Sequence, residues 1–208
     1  MKTCYIVGAG EVDTLTFKPK EEDFVIACDG GYEHCRRCGI KMDLVVGDFD
    51  SLGFVPEHSH VIRLKSEKDD TDMSWALKEG RKRGFSRFVI YGGTGGRTSH
   101  TIANIQLLCG LAGEGCYAVL KGKDIWYRVI CNEEVKFEKE MSGYLSVFCM
   151  GERALGVYEQ GLKYSLDDAV LVKEEPLGVS NEFIGKESRV SVREGMLLLI
   201  GEGKENTL

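Results

Sequence analysis

The stretch Val45-Val46-Gly47-Asp48-Phe49-Asp50-Ser51 decides how the rest of the chain is read. Its apolar lead-in, Leu44 to Val46, reads as a buried strand, and Gly47 ends it ahead of two carboxylates spaced i, i+2 around Phe49. Alternate side chains of an extended segment share a face, so the spacing predicts Asp48 and Asp50 converging on one side while Phe49 anchors the other. Two hard oxygen ligands at a strand end suit Mg²⁺, which is commonly held by one or two carboxylates together with substrate phosphates. Gly and Asp are also ordinary turn residues. What separates a site from a polar turn is whether other strand ends supply partners, since open α/β sheets bind ligands at the carboxyl ends of their strands.

Upstream, Phe24 to Cys28 reads as a strand that closes on Asp29-Gly30-Gly31, before a short helix from Tyr32 to Cys38 stopped by Gly39. Asp29 is thus a third carboxylate at a strand end, and it also suits the N-cap of that helix. Downstream, Val61 to Leu64 leads into Lys65-Ser66-Glu67-Lys68-Asp69-Asp70-Thr71-Asp72 and a helix from Met73 to Arg83, with Met73, Ala76 and Leu77 at helical spacing. Acidic residues in a first turn complement the helix dipole, but this run carries more of them than capping uses. The strand Phe88 to Tyr91 precedes Gly92-Gly93-Thr94-Gly95-Gly96-Arg97-Thr98-Ser99-His100 and a helix from Thr101 to Leu111. Glycines between strand and helix expose backbone N–H groups to phosphate oxygens, and Arg97 suits bidentate phosphate contacts. The loop is not a P-loop, for no Lys-Ser/Thr pair follows a glycine at the required spacing. Cys4 to Val7 ends in Gly8-Ala9-Gly10, the opening of a dinucleotide fingerprint. The third glycine position is Asp13 and no clear helix follows, so that match is set aside.

Strand and helix alternate as far as Tyr117 to Leu120, which predicts a mainly parallel, helix-covered sheet over residues 1–123. From about Lys123 the pattern changes. Short runs at 135–137, 144–148, 155–158, 169–172, 189–192 and 196–200, parted by turn residues, predict an antiparallel sandwich or barrel over 124–208. Leu177 to Phe183 reads there as a turn.

The 208 residues are 43% hydrophobic, ample for a core, and the net charge of −6 argues against nucleic acid as the principal partner. No apolar run approaches the ~20 residues that span a bilayer, and Met1 to Gly8 reads as a first strand rather than a signal peptide. The expectation is a cytoplasmic protein with no membrane partner. The eight cysteines lie mostly in apolar segments and read as reduced, buried thiols. Cys35-Arg36-Arg37-Cys38 lacks the second pair a zinc site would want.

Taken in order, the pieces resemble the thiamine pyrophosphokinase (thiamine diphosphokinase) family. They are Asp29-Gly30-Gly31, Gly47-Asp48-Phe49-Asp50-Ser51, Asp69-x-Thr71-Asp72, Gly92-Gly93-x-Gly95-Gly96-Arg97-x-x-His100-Thr101-x-Ala103-Asn104, Gly161-Leu162-Lys163-Tyr164 and Gly178-x-Ser180-Asn181-Glu182-Phe183. The resemblance implies a Rossmann-like α/β nucleotide-binding domain, a C-terminal β-sandwich that binds thiamine, and a homodimer with thiamine near the subunit interface. It implies pyrophosphoryl transfer from ATP to the thiamine hydroxyl, giving thiamine diphosphate and AMP. On this likeness Asp48, Asp50, Asp69 and Asp72 form the catalytic Mg²⁺ and polyphosphate cluster, and Asp29, Lys68, Arg97 and His100 meet the nucleotide. Ser180 and Asn181 meet thiamine. The likeness singles out no carboxylate as the base for the hydroxyl proton. Ser99 stands where the family's glycine loop usually has an aspartate, with Asp70 the nearby carboxylate placed to compensate, and Met42 stands where proline is common. Two rival readings stay open: a haloacid-dehalogenase-like phosphatase using Asp48 as nucleophile and Asp50 as acid/base, and a sensor that lost turnover through Ser99.

Overall fold

The computed structural model describes residues 2–50, 52–65 and 70–203. The expected site residues Lys68 and Asp69 lie outside the described residues. The chain forms two compact units, one of residues 1–107 and 116–123, the other of 108–115 and 124–208.

In the first unit β1 (Cys4–Val7), β2 (Phe24–Cys28), β3 (Leu44–Gly47), β4 (Val61–Arg63), β5 (Arg87–Tyr91) and β6 (Tyr117–Lys121) pair in the order β6-β5-β1-β2-β3-β4, every neighbour parallel. Strands buried on both faces read as continuous apolar runs rather than alternating ones. Ile6, Val25, Ile26, Val45 and Val46 are accordingly fully buried. The helices are α1 (Gly31–Arg37), α2 (Asp72–Lys82) and α3 (Thr98–Gly113). α2 buries Met73, Ala76, Leu77 and Gly80; Gly80 is required because the Phe88 ring and the Cys4 thiol lie where a side chain would begin. Thr71 caps α2, its hydroxyl accepting from Ser74 N at 3.1 Å. α3 begins at Thr98, earlier than the expected Thr101, so His100 sits in its first turn. The strand order reverses at β1, which lies between β2 and β5. Such a switch point opens a crevice beyond the strand ends.

The second unit comprises β7 (Ile125–Cys131), β8 (Glu134–Phe137), β9 (Tyr144–Cys149), β10 (Arg153–Gln160), β11 (Leu166–Val172), β12 (Gly178–Glu182), β13 (Ser188–Glu194) and β14 (Met196–Glu202). They form two antiparallel sets, β12-β9-β14-β7 and β11-β10-β13-β8. Trp126 and Phe137 meet across the sandwich with ring centroids 6.0 Å apart, and Phe183 packs edge-on against Phe137 at 5.3 Å. Two strands differ from the sequence reading. β7 goes unannounced because its buried Arg128, paired to Glu133 at 2.6 Å, interrupts the apolar run. β12 replaces the expected turn because the hydrogen bonds of β9 hold it as a strand. Among the described residues no helix is long and apolar enough to cross a membrane.

Candidate active site

The ends of β1, β2, β3 and β5 and the starts of α2 and α3 surround a cavity of about 600 Å³. Asp29, Asp48, Asp50, Asp72, Arg97 and His100 all line it, so six of the expected residues from four separate segments come together.

Local backbone geometry puts the carboxylates there. Asp29 is left-handed (φ 51°), which Asp tolerates better than most residues. Its Oδ1 accepts from Phe49 N at 3.1 Å. The expected N-cap role is not taken by Asp29: Gly30 holds that position and α1 has no side-chain cap bond. Asp29 instead ties the β2 end to the β3 end, in space that Gly47 leaves free for its carboxylate. Asp48 and Asp50 converge by a different route from the one the spacing predicts. The extended run stops at Gly47, Phe49 turns left-handed (φ 62°) with its ring buried, and Asp50 N donates to Asp48 Oδ1 at 3.1 Å. Asp72 opens α2, while Asp70, the carboxylate expected near Ser99, does not line the cavity. Its carboxylate accepts from Ser74 Oγ at 3.1 Å and from Lys78 Nζ at 2.5 Å. Ser99 is exposed on the first turn of α3 and does not line the cavity.

The glycine loop after β5 contributes backbone to the lining. Gly92, Gly95 and Gly96 are left-handed (φ 62°, 79° and 61°), and Asn104 from α3 donates to Gly93 O at 2.7 Å to fix the loop. Sequence reasoning missed Gly8, Ala9 and Gly10, which also line the cavity. Gly10 N donates to Gly92 O at 2.8 Å and Glu11 N to Thr94 O at 3.0 Å, zipping the two loops together. The signal was the Gly-x-Gly at the end of the first strand, whose purpose is close backbone approach rather than a dinucleotide. His34, next to the Cys-x-x-Cys pair, bonds Gly10 O through Nε2 at 2.9 Å and so braces the same loop. Cys28 lines the floor, where burial pushes its thiol well above the usual range and keeps it neutral. Among the described lining residues Arg97 is the only Lys or Arg, and it is exposed, as is His100.

Ser180 and Asn181 belong to β12 of the second unit. Ser180 is exposed and left-handed (φ 58°), whereas Asn181 is 4% exposed. The Asn181 amide spends both donors on Glu159 Oε2 and Tyr164 O at 2.7 Å, and its oxygen accepts from Tyr164 N and Glu182 N at 2.9 Å.

Residues 18–120 match the thiamin pyrophosphokinase catalytic domain, and residues 132–197 match the thiamin pyrophosphokinase vitamin B1 binding domain. The chain belongs to the thiamin pyrophosphokinase family. A thiamine pyrophosphokinase of Bacillus subtilis (strain 168) is 29% identical over 96% of this chain and 98% of its own. The crystal structure of thiamine pyrophosphokinase from Bacillus subtilis superposes with a TM-score of 0.87 at 27% identity, covering 98% of this chain and all (100%) of that one. A thiamin pyrophosphokinase family protein from Enterococcus faecalis gives 0.83 at 28% identity, covering 97% and 99%. The function is that of a thiamine pyrophosphokinase, a transferase. The cavity's carboxylates and its glycine loop lie within the part matching the family's catalytic domain, and Ser180 and Asn181 within the part matching its vitamin B1 binding domain.

Proposed function

We propose that the chain transfers the pyrophosphoryl group of ATP to the hydroxyl of thiamine, yielding thiamine diphosphate and AMP, with Mg²⁺ as the cation. The observation that carries this reading is one cavity in which Asp29, Asp48, Asp50 and Asp72 face a glycine-rich loop flanked by Arg97 and His100. A polyphosphate placed among four carboxylates needs cations beyond Arg97, and an all-oxygen donor set suits Mg²⁺ better than a softer metal. Among the described residues no three His, Cys, Asp or Glu side chains group closely enough to hold a metal by themselves. This accords with a cation that completes its shell on substrate phosphates. Asp48, Asp50 and Asp72, with Asp69, would hold it, and it would neutralise charge developing on the phosphoryl oxygens.

The chain's own part is positioning and charge stabilisation, which dominate phosphoryl-transfer catalysis. The Gly92–Gly96 loop offers backbone N–H groups to phosphate at the start of α3, where the helix dipole favours anions. Arg97 and His100 stand beside it for the nucleotide, with Lys68 a further cation and Asp29 keeping the β2 and β3 ends in register. Ser180, exposed on β12, is the direct thiamine contact; Asn181 acts by fixing the strand, since its amide has no hydrogen-bonding capacity left. A homodimer is supported by the exposed apolar Leu177, Val179 and Ile184 on and around β12, an edge of its sheet. A cytoplasmic location suits a chain whose eight thiols are free.

The deciding experiment follows thiamine diphosphate and AMP together from thiamine, ATP and Mg²⁺. Both should appear one for one and cease when the metal is chelated. ADP, free phosphate or an aspartyl-phosphate adduct would move the chain to another reaction class.

A further inference from the structure

β12 carries an irregularity at Ser180. Gly178 pairs with Val147 and Asn181 with Leu145, so Val179 and Ser180 stand opposite Ser146 alone. This is a β-bulge, a device that re-aims a side chain beside a site. It leaves Ser180 at φ 58°, a conformation that a residue with a side chain keeps only when its surroundings enforce it. On one side the enforcement is a bond from Ser180 N to Ser146 Oγ at 3.1 Å. On the other side is Asn181, held from within the sandwich by Glu159 of β10, on the facing sheet, at 2.7 Å.

Glu159 is an unusual anchor, being 1% exposed with Oε1 lacking any hydrogen-bond partner among the described residues. Gly178 makes the room, for a Cβ there would stand 3.1 Å from that oxygen. A buried carboxyl with an orphan oxygen is costly, and a fold keeps one where it does something a hydrocarbon does not. Here burial pushes the carboxyl up to about 7, with the Asn181 bond opposing. Among the described residues no charged side chain contributes to that shift. The acceptor oxygen toward Asn181 is therefore the feature that matters.

We infer that Glu159 is a positioning residue for the thiamine substrate: through the Asn181 amide it locks the strained Ser180 bulge in the shape that meets the ligand. The inference rests on the reading of Ser180 as a thiamine contact. Calorimetry on the full chain, with thiamine and ATP titrated separately, tests it in wild type, Glu159→Leu, Glu159→Gln and, at the other end of the bulge, Ser146→Ala. Glu159→Leu should weaken thiamine binding about tenfold, in line with a lost buried hydrogen bond, while ATP binding stays within about twofold. Glu159→Gln keeps the acceptor oxygen and should restore most of the affinity, and Ser146→Ala should lose severalfold for thiamine alone. Should Glu159→Leu fail to fold, Ser146→Ala and Glu159→Gln decide by the same criteria. Unchanged thiamine affinity in the variants overturns the inference, as does equal weakening of both ligands, which marks a role in the fold only. A wild-type chain that binds no thiamine at all removes the Ser180 reading and this one with it, and that outcome shows before any variant is made.

Discussion

At the residue scale the site is a set of carboxylates whose neighbours fix their direction. Asp48 receives the Asp50 N–H, and Asp72 sits at the start of α2, so each has a set place in the cavity. Asp48→Asn or Asp72→Asn keeps the shape and removes the charge. Turnover should fall by about 100-fold or more with little change in melting temperature, as when one electrostatic contributor is lost from a positioning enzyme. Near-normal turnover at saturating Mg²⁺ in either variant would take that residue out of the cluster. Glu159 makes a separate, pH-dependent prediction. Its carboxyl is raised from 4.5 to about 7 in the folded chain, so the folded state binds the proton more tightly than the unfolded one. The resulting stabilisation is fully present below about pH 4.5 and is lost as pH rises through about 7. At about 1.4 kcal/mol per pH unit the loss is roughly 3 kcal/mol. Glu159→Gln, neutral throughout, should match wild type in melting experiments near pH 4.5 and exceed it at pH 8. A constant difference across that range would show that the carboxyl does not titrate as its burial dictates.

At the element scale the cavity depends on loops rather than on the strands that carry them. The loop after β1 is bonded to the loop after β5 through Gly10 N and Glu11 N, and His34 of α1 braces it from behind. At Gly10 an added methyl would run into the carbonyls of Thr94 and Gly92. Gly10→Ala should therefore pry the two loops apart, costing about 1–3 kcal/mol of stability and impairing ATP more than thiamine. Denaturant melts paired with separate KM values for the two substrates check this. Unaltered kinetics would mean that the glycine loop holds its shape without its neighbour.

For the whole molecule the open question is pairing. Leu177, at 62% exposed, and Tyr164, at 61%, join Val179 and Ile184 in an apolar surface at the edge formed by β12. Light scattering should give twice the 23.1 kDa chain mass for wild type and the single-chain mass for Leu177→Asp, whose charge opposes burial. A wild-type chain that stays single at micromolar concentration rules the homodimer out.

The parallel sheet, the change to antiparallel strands after about Lys123 and the gathering of carboxylates with a glycine loop at strand ends were all legible in the sequence. Each follows from local rules: apolar runs for strands buried on both faces, helical spacing in α2, and glycine where the backbone turns. The tertiary structure alone decided the rest. Phe49 turns left-handed and Asp29 reaches across to it, a contact between residues far apart in sequence that no periodicity encodes. Asp70 bonds Lys78 and does not line the cavity, and Gly8-Ala9-Gly10 lines the site through backbone bonds to a loop distant in sequence, a pairing that no local pattern encodes. Ser180 and Asn181, adjacent in the chain, take opposite parts, one exposed and one with both polar atoms of its side-chain amide engaged. A bulge in β12 and a carboxyl from the facing sheet separate them, and both arise only when the two sheets pack.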